Sequence, residues 1–441
     1  MDDRVLYRDL AATYPQVDRG EGVYLYDVEG KRYLDFVGGA AVVTIGHGVP
    51  EIAEAMARQA RRIAYTYGAQ FTNEPQQALA AKVIELAPAG MDKVYFVSGG
   101  SEATETALKL IRQYFLARGK PNKWKVIGRW QSYHGNTMGA MAMSGRTSWR
   151  RDFGPYLADF PHLVPCYCYR CPFGQAYPAC EVRCATDLER LIRQEGADTI
   201  AAFVAEPIVG TSGAGLTPPA EYYRIIREIC DRHDVLFLAD EIITGFGRTG
   251  RNFGVEHWGV VPDMMVVGKA ISSGYTPLGA VILHGRIVET FRQSKTNPLL
   301  PFTFAGNPLS AAVGLAVQEY AGKHRLFERV RTLEPVLVDR LAAIREHPHV
   351  GEVRGKGLLV GIELVADKGT KAPFPTERNV GRRAAQEAKQ RGLLVLAGQP
   401  GLIDGVMGDH LLLAPPFVVT EAQLAEGLGL LREAIDAACA A

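Results

Sequence analysis

The sequence predicts an α/β protein in which a large domain with a doubly wound, mostly parallel sheet is joined to a smaller α+β domain. Three observations carry this. From about Ala78 onward short apolar runs alternate with amphipathic helical ones. A chain of 441 residues has room for about two to four structural units. Hydrophobic residues at 47% and charged residues at 22% sit near the globular average, which excludes disorder, collagen-like sequence and a disulfide-stapled mini-protein.

Taken in order, residues 21–36 alternate apolar and polar on either side of Glu29 and Gly30 and predict a hairpin. Pro50 opens a helical pattern that runs to Ala64. The strand KVYFV, the helix SEATETALKLIRQYF, the strands KVIGR and TIAAFVAE, the helix PAEYYRIIREICDRH and the strands VLFLADE and MMVVG follow. A helical pattern from Pro308 leads into a last third that mixes helices with the strands GLLVGIEL and GLLVLA. The expected division is residues 1–60, packing with the small domain, 61–325 as the large domain and 326–441 as the small one.

Lysine plus arginine (49) nearly balances aspartate plus glutamate (48), so neither nucleic acid nor a membrane surface is an expected partner. The polar, acidic start lacks a secretory pattern and no long apolar span follows, which predicts a cytoplasmic protein. Five of the seven cysteines lie between Cys166 and Cys184. Their C-x-C-x2-C-x8-C-x3-C spacing is not the two separated C-x2-C pairs of a strong zinc signature, and a Cys-rich loop without metal is expected.

Chemistry concentrates at strand ends, where open α/β sheets bind ligands. After KVYFV come Ser98, Gly99, Gly100 and Ser101, opening a helix whose free N–H groups suit an anion such as phosphate; an ordinary serine cap is the alternative. VLFLA ends in Asp240, a carboxylate that needs a cation or strong donors if buried. The run Gly245–Gly250 formally matches G-x-G-x-x-G, but no helical pattern follows it, and nicotinamide binding is not expected. MMVVG ends in Lys269, either a surface-seeking lysine or one whose desolvated amine can form an imine with an aldehyde. An imine-forming lysine, a carboxylate for a pyridinium nitrogen and a phosphate cradle together are what pyridoxal 5'-phosphate requires.

Six motifs make the chain resemble the class III pyridoxal-phosphate-dependent aminotransferases, the ω-aminotransferase group of fold type I. They are SGGSEATETALKL at 98–110, SYHGNT at 132–137, AEPI at 205–208, LADEIITGFGRTG at 238–250, PDMMVVGKAISSGYTPLGAV at 262–281 and FTFAGNP at 302–308. The resemblance implies that Lys269 binds the cofactor aldehyde and shuttles the proton, while Asp240 holds the ring nitrogen. It gives Gly100 and Ser101 the phosphate, and Tyr133 and Ile242 the two faces of the ring. Glu206 is implied near the ring on the substrate side. Thr303 is implied to reach the phosphate of a neighbouring subunit, which makes a homodimer part of the active site. His134, beside Tyr133, is read as structural.

The implied activity is transfer of an amino group from an ω-amino acid or primary amine to a 2-oxo acid such as pyruvate, by a ping-pong mechanism. An epimerase or lyase on the same fold is the alternative within this chemistry, and a cofactor-free binding protein the alternative outside it. Many relatives carry a carboxylate-binding arginine just before an APPL-like segment. Here the stretch Gly408–Pro416 has leucine at the nearest position, so the usual clamp is missing; this favours a donor whose amine is remote from any carboxylate and leaves open whether another arginine supplies the fork.

Overall fold

The computed structural model describes residues 4–440; the first three residues of the 1–60 segment and Ala441 lie outside the described residues. Its largest sheet has eight strands, in the order Met91–Val97, Gly279–His284, Met264–Val267, Leu236–Asp240, Ile200–Ala205, Lys125–Trp130 and Ser144–Gly145, with His162–Leu163 also paired to Lys125–Trp130. The strands from Met264–Val267 to the far edge pair in parallel. Gly279–His284, which the sequence reading did not separate from the lysine motif, runs antiparallel to both neighbours. The connection 268–278 is shorter than the dozen or so residues a parallel crossover needs, so the chain turns straight back.

Alternation along the buried strands explains why both faces are covered. Ala202, Val204, Leu238 and Val266 point to one face and meet Ala103, Ala107, Leu110, Ile111 and Phe115 of the helix Gly100–Ala117. Phe203, Phe237, Met265 and Val267 point to the other and meet Tyr222, Tyr223, Ile226 and Ile229 of the helix Tyr222–Arg232. A period of two in the strands and about 3.6 in the helices makes this the consistent way to bury both sets. Truncating one such side chain, for example Leu110→Ala, costs about 2–5 kcal/mol.

The expected hairpin forms between Tyr24–Asp27 and Arg32–Asp35, with Val17–Glu21 added outside it. The expected strand GLLVLA is two: Leu393–Leu394 pairs in parallel with Arg32–Asp35, whereas Leu396–Ala397 joins the antiparallel sheet of Val350–Lys356, Leu359–Leu364 and Asp409–Leu413. One apolar run thus stitches the N-terminal sheet to the C-terminal one. The helix Pro308–Lys323 starts with proline at its first position, and the Asn307 side chain caps it by accepting from Ser310 N at 3.0 Å. No helix among the described residues is long and apolar enough to cross a membrane.

Candidate active site

The parallel register decides which side chains meet. Val266 lies opposite Asp240 and Ala205 opposite Ala239, so Glu206, Asp240 and the Lys269 turn leave the sheet at one carboxyl edge. Val97 ends at the same edge, opposite Gly279, and feeds the start of the helix Gly100–Ala117.

Lys269 has a left-handed backbone (φ 46°), a conformation that costs a residue with a Cβ and must be held by its surroundings. Three elements hold it. Ser272 N and Ser273 N donate to its carbonyl at 3.2 and 2.9 Å. Gln318, from the helix Pro308–Lys323, donates to the carbonyls of Ala270 and Ile271 at 3.0 and 3.1 Å. The Ser273 hydroxyl accepts from Thr44 N and Ile45 N, tying in the N-terminal segment. Burial pushes the lysine ammonium down to about 8 even though Asp240 and Glu206 oppose that shift. A lysine in this state is a usable base and nucleophile near neutral pH.

Asp240 is almost fully buried and has one side-chain partner, His134, whose Nδ1 donates to Oδ2 at 2.7 Å; Ile242 N donates to Oδ1 at 3.1 Å. His134 therefore does more than fill space: it orients the carboxylate. Its own backbone N–H is fixed on Ser144 Oγ at 2.8 Å. Glu206 turns both oxygens to backbone donors, Oε1 accepting from Tyr133 N at 3.0 Å and Oε2 from Gly210 N at 2.8 Å. Its carbonyl accepts from Arg129 Nη2 and Tyr223 OH, both at 2.6 Å. Burial, with Asp240 nearby, raises the Glu206 carboxyl above its usual range. In this geometry Glu206 sets the position of Tyr133.

At the helix start Gly99 is extended and no side chain caps the first turn, leaving the N–H groups of Gly100, Ser101 and Glu102 without helical acceptors. A Cβ on Gly100 would come within 2.8 Å of Ile242 Cδ1, and one on Gly268 within 3.6 Å of Gly100 Cα. Gly100 is glycine where the helix start crowds against Ile242, whereas the Gly268 contact is of ordinary length. Ser101 Oγ donates to Asn136 Oδ1 at 2.9 Å, joining the helix start to the Tyr133 loop. Thr303 is the predicted residue that the single chain does not bring in. It is exposed, its carbonyl accepts from Tyr65 OH at 3.1 Å, and Asn307 rather than Thr303 caps the following helix.

The glycine-rich run 245–250 forms turns, not a helix. Glu241 organises it, accepting from Thr244 Oγ1 at 2.5 Å and from Gly254 N and Val255 N at 2.8 Å. Arg248, fully buried within it, donates to the Pro415 carbonyl at 2.6 Å and so ties the large sheet to the C-terminal part. The sequence reading also passed over Arg146 and Trp149. The Arg146 guanidinium carbon lies 4.4 Å from the Trp149 ring centroid, and Trp149 meets Tyr133 edge-on at 4.8 Å and 90°. Nothing in their local pattern marks them, since a short helix start places them beside a loop from another strand. The five clustered cysteines are free thiols, Cys166 buried and Cys168 exposed.

A sheet edge carrying a buried lysine and carboxylate beside an uncapped glycine-rich helix start defines a site for an anionic, cationic-ringed aldehyde. The chain matches the aminotransferase class-III family model over residues 8–435 and belongs to that family. It is 39% identical to an uncharacterised aminotransferase, YodT, of Bacillus subtilis, over 99% of this chain and 98% of that protein. It is 35% identical to a putrescine–pyruvate aminotransferase of Pseudomonas aeruginosa, over 96% of this chain and 91% of that one. The solved (S)-enantioselective ω-transaminase of Thermomicrobium roseum superposes with a TM-score of 0.90 at 36% identity, covering 96% and 93% of the two chains. This chain is an aminotransferase of the fold type I architecture.

Class III aminotransferases work with pyridoxal 5'-phosphate, and the residues present fit it. The uncapped helix start offers backbone N–H groups to a phosphate, and a Cβ on Gly100 there would press on Ile242. The buried Asp240 carboxylate, hydrogen-bonded through its side chain to His134 alone, is suited to hold a protonated ring nitrogen.

Proposed function

We propose that this chain binds pyridoxal 5'-phosphate and transfers an amino group from an ω-amino acid or primary amine to a 2-oxo acid such as pyruvate, donor and acceptor taking turns in one pocket. The observation that carries the reading is the meeting of Lys269, Asp240 and the Gly100 helix start at one sheet edge. The substrate class draws support from relatives named for putrescine–pyruvate and ω-amine transamination.

When bound, the cofactor supplies an electron sink for the charge left on the donor's amine-bearing carbon. Lys269 would hold the aldehyde carbon through Nζ. With its ammonium lowered to about 8, roughly a tenth is free base at pH 7, enough to take a proton from that carbon and hand it back. Asp240, aligned by His134, would keep the ring nitrogen protonated. The N–H groups of Gly100 and Ser101 would hold the phosphate, while Tyr133 and Ile242 confine the ring and exclude water. Glu206 would keep Tyr133 in place.

A homodimer completes the site through Thr303. Leu299 (72% exposed) and Phe304 (54% exposed) flank that residue, and Phe304 meets Tyr65, an apolar surface that a second copy would cover. Units 1–60, 61–325 and 326–441 are the proposed division, supported by the pairing of Arg32–Asp35 with Leu393–Leu394. A cytoplasmic setting accords with seven free thiols.

The test is purified protein given a primary amine and pyruvate. Alanine formed in step with consumed donor is the expected result. Racemised donor, or ammonia without alanine, would instead assign epimerase or lyase chemistry. Lys269→Ala is expected to remove the near-visible absorbance and to slow turnover by at least about 100-fold; retention of both would sink the assignment.

A further inference from the structure

Arg146 follows the short strand Ser144–Gly145 and directly precedes the helix Thr147–Arg150 without capping it through its side chain. Its guanidinium rests over Trp149 at 4.4 Å, and Trp149 in turn touches Tyr133. Among the described residues no carboxylate forms an ion pair with it and no acceptor hydrogen-bonds its guanidinium. Glu206 is close enough to act on it, but both Glu206 oxygens are already occupied by Tyr133 N and Gly210 N. Burial pushes the arginine down to about 10, against the opposing pull of Tyr133 and Glu206. A half-buried cation whose nearby carboxylate is held by backbone donors rather than paired with it is costly unless another anion arrives.

The stretch that lacks the expected arginine offers no replacement. Asp409–Leu413 is a buried strand, and His410 Nε2 donates to the Thr211 carbonyl at 2.9 Å. Burial drives the His410 imidazole down to about 4, so it is neutral at working pH and cannot balance a carboxylate. Arg146 is one of the two arginines whose field reaches His410, and the other, Arg354, is committed to Glu352 and Glu363. Arg8, which also acts on Tyr133, is exposed.

We infer that Arg146 binds the substrate carboxylate, taking that of the oxo-acid acceptor and, in the alternate half-reaction, that of an ω-amino acid donor. A guanidinium over an aromatic face gives up no N–H donor to it, so its fork stays available for a carboxylate. The inference deepens the transaminase reading and rests on it.

The test compares holoenzyme with Arg146→Met and Arg146→Lys on three substrate pairs: a neutral amine with a neutral aldehyde, the same amine with pyruvate, and 4-aminobutyrate with the neutral aldehyde. In Arg146→Met, kcat/KM for pyruvate and for 4-aminobutyrate is expected to fall about 10-fold or more, chiefly through KM, with Arg146→Lys between the two. The wholly neutral pair is expected to change by less than about twofold. Propanoate, which cannot react, is expected to bind wild-type holoenzyme about 10-fold more tightly than Arg146→Met by calorimetry. Equal losses on all three pairs, or propanoate affinity that ignores the substitution, overturn the inference. Wild-type protein that makes no alanine from any amine, yet binds propanoate through Arg146, overturns the transaminase reading and leaves the anion site standing.

Discussion

The backbone of Lys269 is pinned at the sheet edge so that its amine is buried, and its acidity is the measurable trace of that. An ordinary lysine amine is almost wholly protonated at neutral pH, whereas this one is lowered to about 8 by burial. Cofactor uptake by cofactor-free protein, followed by absorbance, is therefore expected to rise about 10-fold per pH unit up to about pH 8 and then level off; a rise continuing past pH 10 would contradict it. Gly100 gives a second check. Gly100→Ala brings a methyl within 2.8 Å of Ile242 Cδ1 and 3.3 Å of its Cγ1 and Cγ2, so more than the tip of that side chain must shift. Cofactor affinity is expected to drop about 10-fold, with part of the loss recovered in Gly100→Ala/Ile242→Val. Recovery matters because two independent defects would add.

Among the elements, the connection after Leu236–Asp240 is the one whose role changed most between sequence and structure. Its glycines imitate a dinucleotide loop, yet Glu241 gathers three donors from it and Arg248 bolts it to Pro415. Glu241→Ala strands two backbone N–H groups and a hydroxyl and is expected to cost roughly 3 kcal/mol in urea unfolding. Burial raises the Glu241 carboxyl from 4.5 to about 7. Its stabilising contribution is then complete below 4.5 and fades as pH rises through 7, so the gap to Glu241→Ala is expected to be wider at pH 5 than at pH 8. Equal gaps at the two pH values would rule that carboxyl out as the source.

For the whole molecule, the decisive question is assembly. Thr303 stands exposed in the single chain beside exposed apolar groups, so sedimentation at micromolar concentration is expected to give twice the chain mass, with activity falling on dilution below the dimer's dissociation constant. A monomer with full activity would remove Thr303 from the site. Much of this protein was readable in one dimension. Lys269, Asp240 and the Gly100 helix start sit at the ends of apolar runs, and a strand end is visible as a break in hydrophobic pattern. The hairpin at 24–35 and the helix opened by Pro308 announced themselves by alternation and by proline. Other features had no local mark. The reversal of Gly279–His284 follows from a short connection, the split of the 393–397 run from two sheets competing for one strand, and the links from His134 to Asp240 and from Arg146 to Tyr133 through Trp149 from register between distant segments. Sequence by itself determined which residue types end the strands, because burial leaves a periodic signature along the chain. Only the tertiary structure decided which of those ends face one another, because hydrogen-bond register and packing act between residues that the chain keeps far apart.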